Sequence, residues 1–384
     1  MSENKKFQSG GVASISIAHF LHDVYSSILA PVMPLLMEKL QFSYSMAGLL
    51  YVFQRFPALF NPLIGLAADK LPTRIMLIAA PSVTALSMGL IGIAPSYTIV
   101  AILLLITGIS AATFHVPAPV VIKSIAGNRL GKGMSFFMFG GEIARSAGPV
   151  LILGAISLWG FEGIYKTIPA GFLASGILFF KLRKIRIAEA FKIKKNSRKA
   201  SHTLKKIYPL LIKVAGVSFF MSIIKAALTS FLPVFFSAQG NTVWAGGIAL
   251  AIVQLAGAFG TFSSGTISDK IGRRNTLLII GAVSPVLMWV FVLFGSLAGA
   301  PILLLAGFFL FSSTSVLLAV VNEFKSERPA FVNGLFMTLN FISGAGSIML
   351  IGLMSDWIGI ELTYKISALL GFGALPFVFM LGKK

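Results

Sequence analysis

Two stretches, Gly65-Leu-Ala-Ala-Asp69-Lys70-Leu-Pro72-Thr73-Arg74 and Gly265-Thr-Ile-Ser-Asp269-Lys270-Ile-Gly272-Arg273-Arg274, carry one pattern in the same register, 200 residues apart. A glycine four residues before an aspartate, then a tight turn and a basic residue, suits a point where two helices approach closely and an acid meets a neighbouring helix end. Each stretch lies between long apolar runs, so each reads as a loop joining two helices. Outward from the first copy, apolar runs predict helices over about 11–37, 44–68, 74–94, 98–125, 133–158 and 163–183. Outward from the second they predict helices over about 208–236, 244–268, 275–297, 301–322, 330–356 and 361–381. The expected architecture is an all-α integral membrane protein of twelve transmembrane helices in two pseudo-symmetric six-helix bundles. The bundles span 1–183 and 208–384, and a basic linker over 184–207 joins them.

Composition supports this reading. Of 384 residues, 56% are hydrophobic and 11% charged, against roughly a quarter charged in a soluble domain. Runs of twenty or more apolar residues recur, each long enough to cross a hydrocarbon core of about 30 Å. The net charge of +20 would suggest nucleic-acid binding in a soluble chain. Here Lys and Arg gather in short loops on one side, while Lys39, Lys166 and Lys365 fall on the other. That is the positive-inside pattern, and by it both termini and the linker are expected on the cytoplasmic side of a cytoplasmic (inner) membrane. The chain contains no cysteine, so disulfides and thiolate metal sites are excluded. No phosphate-binding loop of the G-x-x-x-x-G-K-[ST] type is present, which argues against ATP drive.

The paired loops resemble the major facilitator superfamily, whose loop between helices 2 and 3 has the form G-x-x-x-D-(R/K)-x-G-(R/K)-(R/K). The second copy is complete, and the first has Pro72 and Thr73 where the family prefers Gly and a basic residue. The resemblance implies a substrate site between two bundles near the bilayer midplane, opened alternately to each side. It also makes Gly65, Asp69, Arg74, Gly265, Asp269, Arg273 and Arg274 a conformational latch that does not touch substrate. Ala18-His-Phe-Leu-His-Asp23, Phe114-His115, Gly148-Pro149 and Glu361-Leu-Thr-Tyr-Lys365-Ile further resemble the fosmidomycin-resistance branch of drug exporters. That branch follows Phe-His with Pro-Glu, whereas this chain has Val116-Pro117-Ala118 and lacks the helix 4 carboxylate. Gly148 and Pro149 resemble the antiporter step of helix 5, with Gly140, Gly141 and Gly154 as further small residues. This tilts the expected direction toward efflux, and small residues equally allow close helix packing in lipid.

Ionisable residues inside the bilayer are costly and are functional candidates by default. His19, His22 and Asp23 stand at i, i+3 and i+4, on one face of helix 1. Asp23 and Arg55 are expected to neutralise one another across helices 1 and 2. Glu142 and Arg145 share a face of helix 5 as an intrahelical pair. His115 lies deep in helix 4, two residues before Pro117, where a kink is expected. Lys225 stands well inside helix 7. The proton-coupling candidates are Asp23, Glu142 and His115. The substrate-binding candidates are His19, His22, Gln54, Arg55, His115, Arg145 and Lys225, a set that leans positive and favours an anionic or amphipathic compound. Phe53, Phe114 and Phe219 are expected at a cavity wall.

The function expected is secondary active transport of a small organic compound by proton-coupled efflux. The alternatives are a proton symporter importing an organic anion and a lipid flippase. A membrane enzyme would need clustered acids or a His-rich motif of fixed spacing, and no catalytic residue, cofactor or metal site is expected. The expected partners are the substrate, protons and membrane lipid, with no nucleic acid, and the chain is expected to act as a monomer.

Overall fold

The computed structural model describes residues 7–61, 63–64, 73–183, 200–294, 299–324 and 329–382. Among these residues eleven helices are long and apolar enough to cross a membrane. A twelfth, α2, runs Tyr44–Arg55 and continues as a 3-10 turn, Phe56–Phe60; the rest of its expected span, with Gly65 and Asp69, lies mostly outside the described residues. The others are α1 (Ser9–Leu40), α3 (Thr73–Gly89), α4 (Tyr97–Ile125), α5 (Leu130–Trp159) and α6 (Ile168–Leu182). Then follow α7 (from Ala200), α8 (Val243–Ile271), α9 (Arg273–Phe294), α10 (Gly299–Asn322), α11 (Pro329–Ile358) and α12 (from Ile360). The protein is thus an all-helical, multi-pass membrane protein. The expected linker lies outside the described residues as far as 199, and α7 already includes Lys205 and Lys206.

Three helices break where proline removes a backbone donor. In α1 the first piece ends at Ser26 and the second starts at Leu29. Pro31 has no N–H for the Ser27 carbonyl, and the Ser27 hydroxyl turns back to the Val24 carbonyl at 2.8 Å. This break was not expected from a continuous apolar run. In α4 the helix stops at His115 and resumes at Ala118 after Pro117. In α7 a π turn, Ala227–Phe231, precedes Pro233.

The chain divides into two compact units, Met1–Gln41 with Phe53–Lys194, and Phe42–Val52 with Lys195–Lys384. In the first, Ile15, Leu77, Phe114, Ile122, Phe137 and Leu178 belong to one buried cluster drawn from α1, α3, α4, α5 and α6. Glycines let α5 lie directly on α1: a Cβ at Gly140 would stand 2.6 Å from the Ser16 carbonyl, one at Gly141 would meet the His19 ring at 2.5 Å, and one at Gly148 would strike the Ser27 hydroxyl. Phe114, expected at a cavity wall, is fully buried core.

In the second unit Phe235 stacks on Tyr364 with centroids 4.1 Å apart. The Tyr364 and Tyr51 hydroxyls donate to the carbonyls of Ala227 and Ser230, both at 2.6 Å, so two carbonyls of the π turn are satisfied by side chains. At the start of α2 the Asp356 carboxylate accepts the N–H groups of Tyr44 and Ser45 at 2.8 and 3.0 Å, and the Ser43 hydroxyl accepts from the Met46 N–H at 3.4 Å, so the first donors of the helix are capped.

The α1–α5 seam yields a direct test. Gly140→Val forces a side chain against backbone and is expected to lower the melting temperature in detergent by about 5 °C. Gly154→Val, where a Cβ meets nothing within 4 Å, is expected to change it by less than about 2 °C, and equal effects at the two positions would refute the seam.

Candidate functional site

The first unit brings four polar residues of α1 and α4 together at its core. His19, His22 and Asp23 are buried, at 4%, 0% and 7% exposure. Their shared face follows from their helical spacing, and it meets α4 where that helix ends at His115. The break at Pro117 leaves Phe114 in the core and its neighbour His115 beside α1. His115 Nε2 stands 3.2 Å from Asp23 Oδ1, and His19 Nε2 stands 3.3 Å from Asp23 Oδ2. The carboxylate therefore faces an imidazole on each oxygen. Arg55, expected as its partner, is exposed at the end of α2.

Neighbouring groups fix the rings. His19 Nδ1 lies 2.7 Å from the Phe137 carbonyl, and a carbonyl only accepts, so that nitrogen carries the hydrogen. Phe137 also stacks on the His19 ring at 4.0 Å, and Phe114 stacks on His22 at 4.8 Å. A hydroxyl chain settles His22. Ser110 donates to the Ala80 carbonyl at 2.9 Å and Thr84 donates to Ser110 at 2.8 Å. With its proton so committed, Thr84 Oγ1 accepts from His22 Nδ1 at 3.1 Å. In a neutral ring His22 Nε2 is then a bare lone pair, and it is buried with no hydrogen-bond partner. Neither Thr84 nor Ser110 stands out in the sequence, since a hydroxyl in an apolar helix usually bonds its own backbone.

The other candidates make contacts of their own. Gln54 donates to the Ser26 carbonyl at 3.0 Å, beside the break in α1. Glu142 and Arg145 form the expected pair on α5, with Arg145 the more exposed member. In the second unit the Lys225 ammonium sits 4.2 Å above the Phe311 ring, an attraction that needs no acid. Phe219 and Phe53 are partly exposed.

The complete latch turn folds around Arg273. Gly272 has φ +88°, which favours glycine and lets α9 begin at the next residue. Arg273 meets Asp269 at 2.5 Å and, from the end of α10, Glu323 at 3.0 Å; it also donates to the Ser268 hydroxyl and the Gly265 carbonyl. Asp269 pairs within its own turn, and Glu323 is a member that its place far along the chain concealed. Arg274 reaches the Phe379 carbonyl at 3.4 Å. In the first unit Arg74 donates to the Arg183 carbonyl at 3.2 Å.

Known proteins share both sequence and architecture with this chain. The family model described as Major Facilitator Superfamily matches residues 15–348. The chain is 27% identical to the Fosmidomycin resistance protein of Escherichia coli (strain K12), over 97% of this chain and 92% of that one. It is 22% identical to the multi-drug resistance efflux pump PmrA of Streptococcus pneumoniae serotype 4, over 68% and 67% of the two chains. Its fold matches the crystal structure of a bacterial homolog of the human lysosomal transporter Spinster with a TM-score of 0.81, at 15% identity over 98% and 97% of the chains. A match over most of the length, on twelve helices with a repeated loop, places this protein in the major facilitator superfamily, among membrane transporters and not enzymes.

Proposed function

We propose that the protein exports a small organic compound, anionic or amphipathic, across a cytoplasmic membrane by proton-coupled alternating access, as a monomer with both termini cytoplasmic. The observation that carries this reading is the buried Asp23 carboxylate held between His19 and His115. With His19 Nδ1 bound as donor, a neutral His19 turns its Nε2 lone pair on Asp23 Oδ2 at 3.3 Å, two acceptors face to face unless a positive charge joins them. A proton supplies that charge at the smallest volume. His115, with its side chain 37% exposed, is the member that a substrate reaches from outside the core. A proton held on these lone pairs occupies the atoms that substrate donors would engage, so proton and substrate exclude one another, as antiport requires. The 27% identity to a resistance protein supports the outward direction and makes fosmidomycin the first compound to test.

A second reading, proton symport of an organic anion, is favoured by one feature. Arg145 is neutralised by Glu142, and protonating Glu142 would free that charge for an anion. Proton and anion would then bind together. The sign of the linkage separates the two readings, because coupling free energy is reciprocal.

Binding of the transported compound to purified protein, measured across pH 6 to 8, is the deciding experiment. Exclusion predicts affinity that weakens as pH falls, and co-binding predicts affinity that strengthens. Asp23→Asn is expected to abolish the dependence in the first case, and Glu142→Gln in the second. A profile that both variants leave unaltered would sink both assignments.

For the latch, Asp269→Asn removes one partner of Arg273. Transport in proteoliposomes is expected to slow about tenfold, an effect of about 1.4 kcal/mol on the barrier, with substrate affinity unchanged. A large loss of affinity instead would place Asp269 in the substrate site.

A further inference from the structure

His19, Asp23 and His115 present two imidazole nitrogens and a carboxylate, one ligand atom from each lying within 4.8 Å of the others. We propose that this cluster is a binding site for a divalent transition-metal ion of the zinc or cobalt class. The inhibitory consequence drawn below rests on the coupling role proposed above; binding itself does not.

The spacing is that of a metal site waiting to close. With bonds of about 2.0–2.1 Å to nitrogen and oxygen, neighbouring ligand atoms of a tetrahedral ion stand about 3.3 Å apart. His19 Nε2 stands 3.3 Å from Asp23 Oδ2 and His115 Nε2 stands 3.2 Å from Oδ1, so each imidazole is at that spacing from its own carboxylate oxygen, and one atom from each of the three residues lies within 4.8 Å of the others. The remaining closure falls to His115, the last residue of the first piece of α4, whose side chain is the only one of the three not buried.

The surrounding groups are those that a metal ligand needs. His19 gives its Nδ1 hydrogen to the Phe137 carbonyl, which leaves Nε2 bare and fixes the ring; a ligating histidine characteristically gives its second nitrogen to a carbonyl or carboxylate in this way. Gly141 leaves room for the ring against α5. Asp23 Oδ1 is buried without a hydrogen bond. A second bare nitrogen, His22 Nε2, belongs to a ring centred 5.3 Å from that of His115. On the half-exposed side of His115 a fourth position is open to water or to a substrate atom. Two nitrogens and one oxygen suit zinc, cobalt or nickel, whereas magnesium and calcium demand oxygen throughout.

An ion here occupies the lone pairs assigned to the coupling proton, so micromolar zinc is expected to arrest transport and to be reversed by chelation. The test uses the full chain without any added histidine tag, stripped of metal and titrated with Co2+ in a spectrophotometer and with Zn2+ in a calorimeter. One equivalent is expected, with the visible bands of four-coordinate cobalt. His115→Ala, at a half-exposed helix end, and His19→Ala are each expected to weaken binding at least about tenfold. His202→Ala, on the fourth histidine of the chain, is expected to leave it unchanged.

The absence of cobalt bands and of zinc heat with the wild-type protein would overturn the site. So would binding that His115→Ala and His19→Ala leave intact. Metal binding alongside pH-independent substrate binding would retain this site and remove the coupling role, whereas pH-dependent exclusion without metal binding would do the reverse.

Discussion

An ionised carboxylate inside hydrocarbon has no water to answer it, and Asp23 is buried in the core of a six-helix unit. Leaving such a group unpaired costs a few kcal/mol or more, so its surroundings must be arranged around it. The helical spacing of His19 supplies one imidazole from the same face. The break of α4 at Pro117 supplies the other, His115. The bare glycines of α5 bring Phe137 close enough for its carbonyl to hold His19 and its ring to stack on it. The hydroxyl chain through Thr84 and Ser110 holds His22 and ties α3 to α4. Each of these local features is unremarkable alone, and together they make one charge tolerable.

The helices themselves are plain from apolar length, and the repeated loop carries the resemblance to the family in the sequence alone. What hydropathy does not encode is rotation about a helix axis. His19, His22 and Asp23 are legibly on one face, but which neighbour that face meets depends on how α1 and α4 turn toward each other. Arg55 looks the natural partner by charge, and charge alone gives no sign of the two imidazoles that face Asp23. Phe114 reads as a cavity residue because it adjoins a polar one, yet successive helical residues point about 100° apart, so it is core while His115 is not. Pro31 announces a break in α1 as clearly as Pro117 does in α4; an uninterrupted apolar run around it hides the signal.

Superfamily membership and chemistry are separate conclusions. A fold shared at 15% identity with a solved transporter says how the chain is built, and the site must speak for what it carries. At Val116-Pro117-Ala118 this chain has no carboxylate, where the resemblance to the exporter branch would imply one. In this chain the burden of negative charge inside the first unit therefore rests on helix 1 and on Glu142 of α5, and the imidazole cluster is the more secluded of the two.

The π turn of α7 has a consequence for how such sequences drift. Tyrosine and phenylalanine exchange readily where only a ring is needed, since the two pack alike. At 51 and 364 the hydroxyl also donates to a backbone carbonyl of the π turn, at 2.6 Å in each case, and a phenylalanine would leave that bond unmade. The exchange is therefore not neutral at either place, since each phenylalanine would withdraw one donor from the π turn inside the bilayer. Two letters of sequence, far apart and individually ordinary, thus bear on the local winding of a third segment.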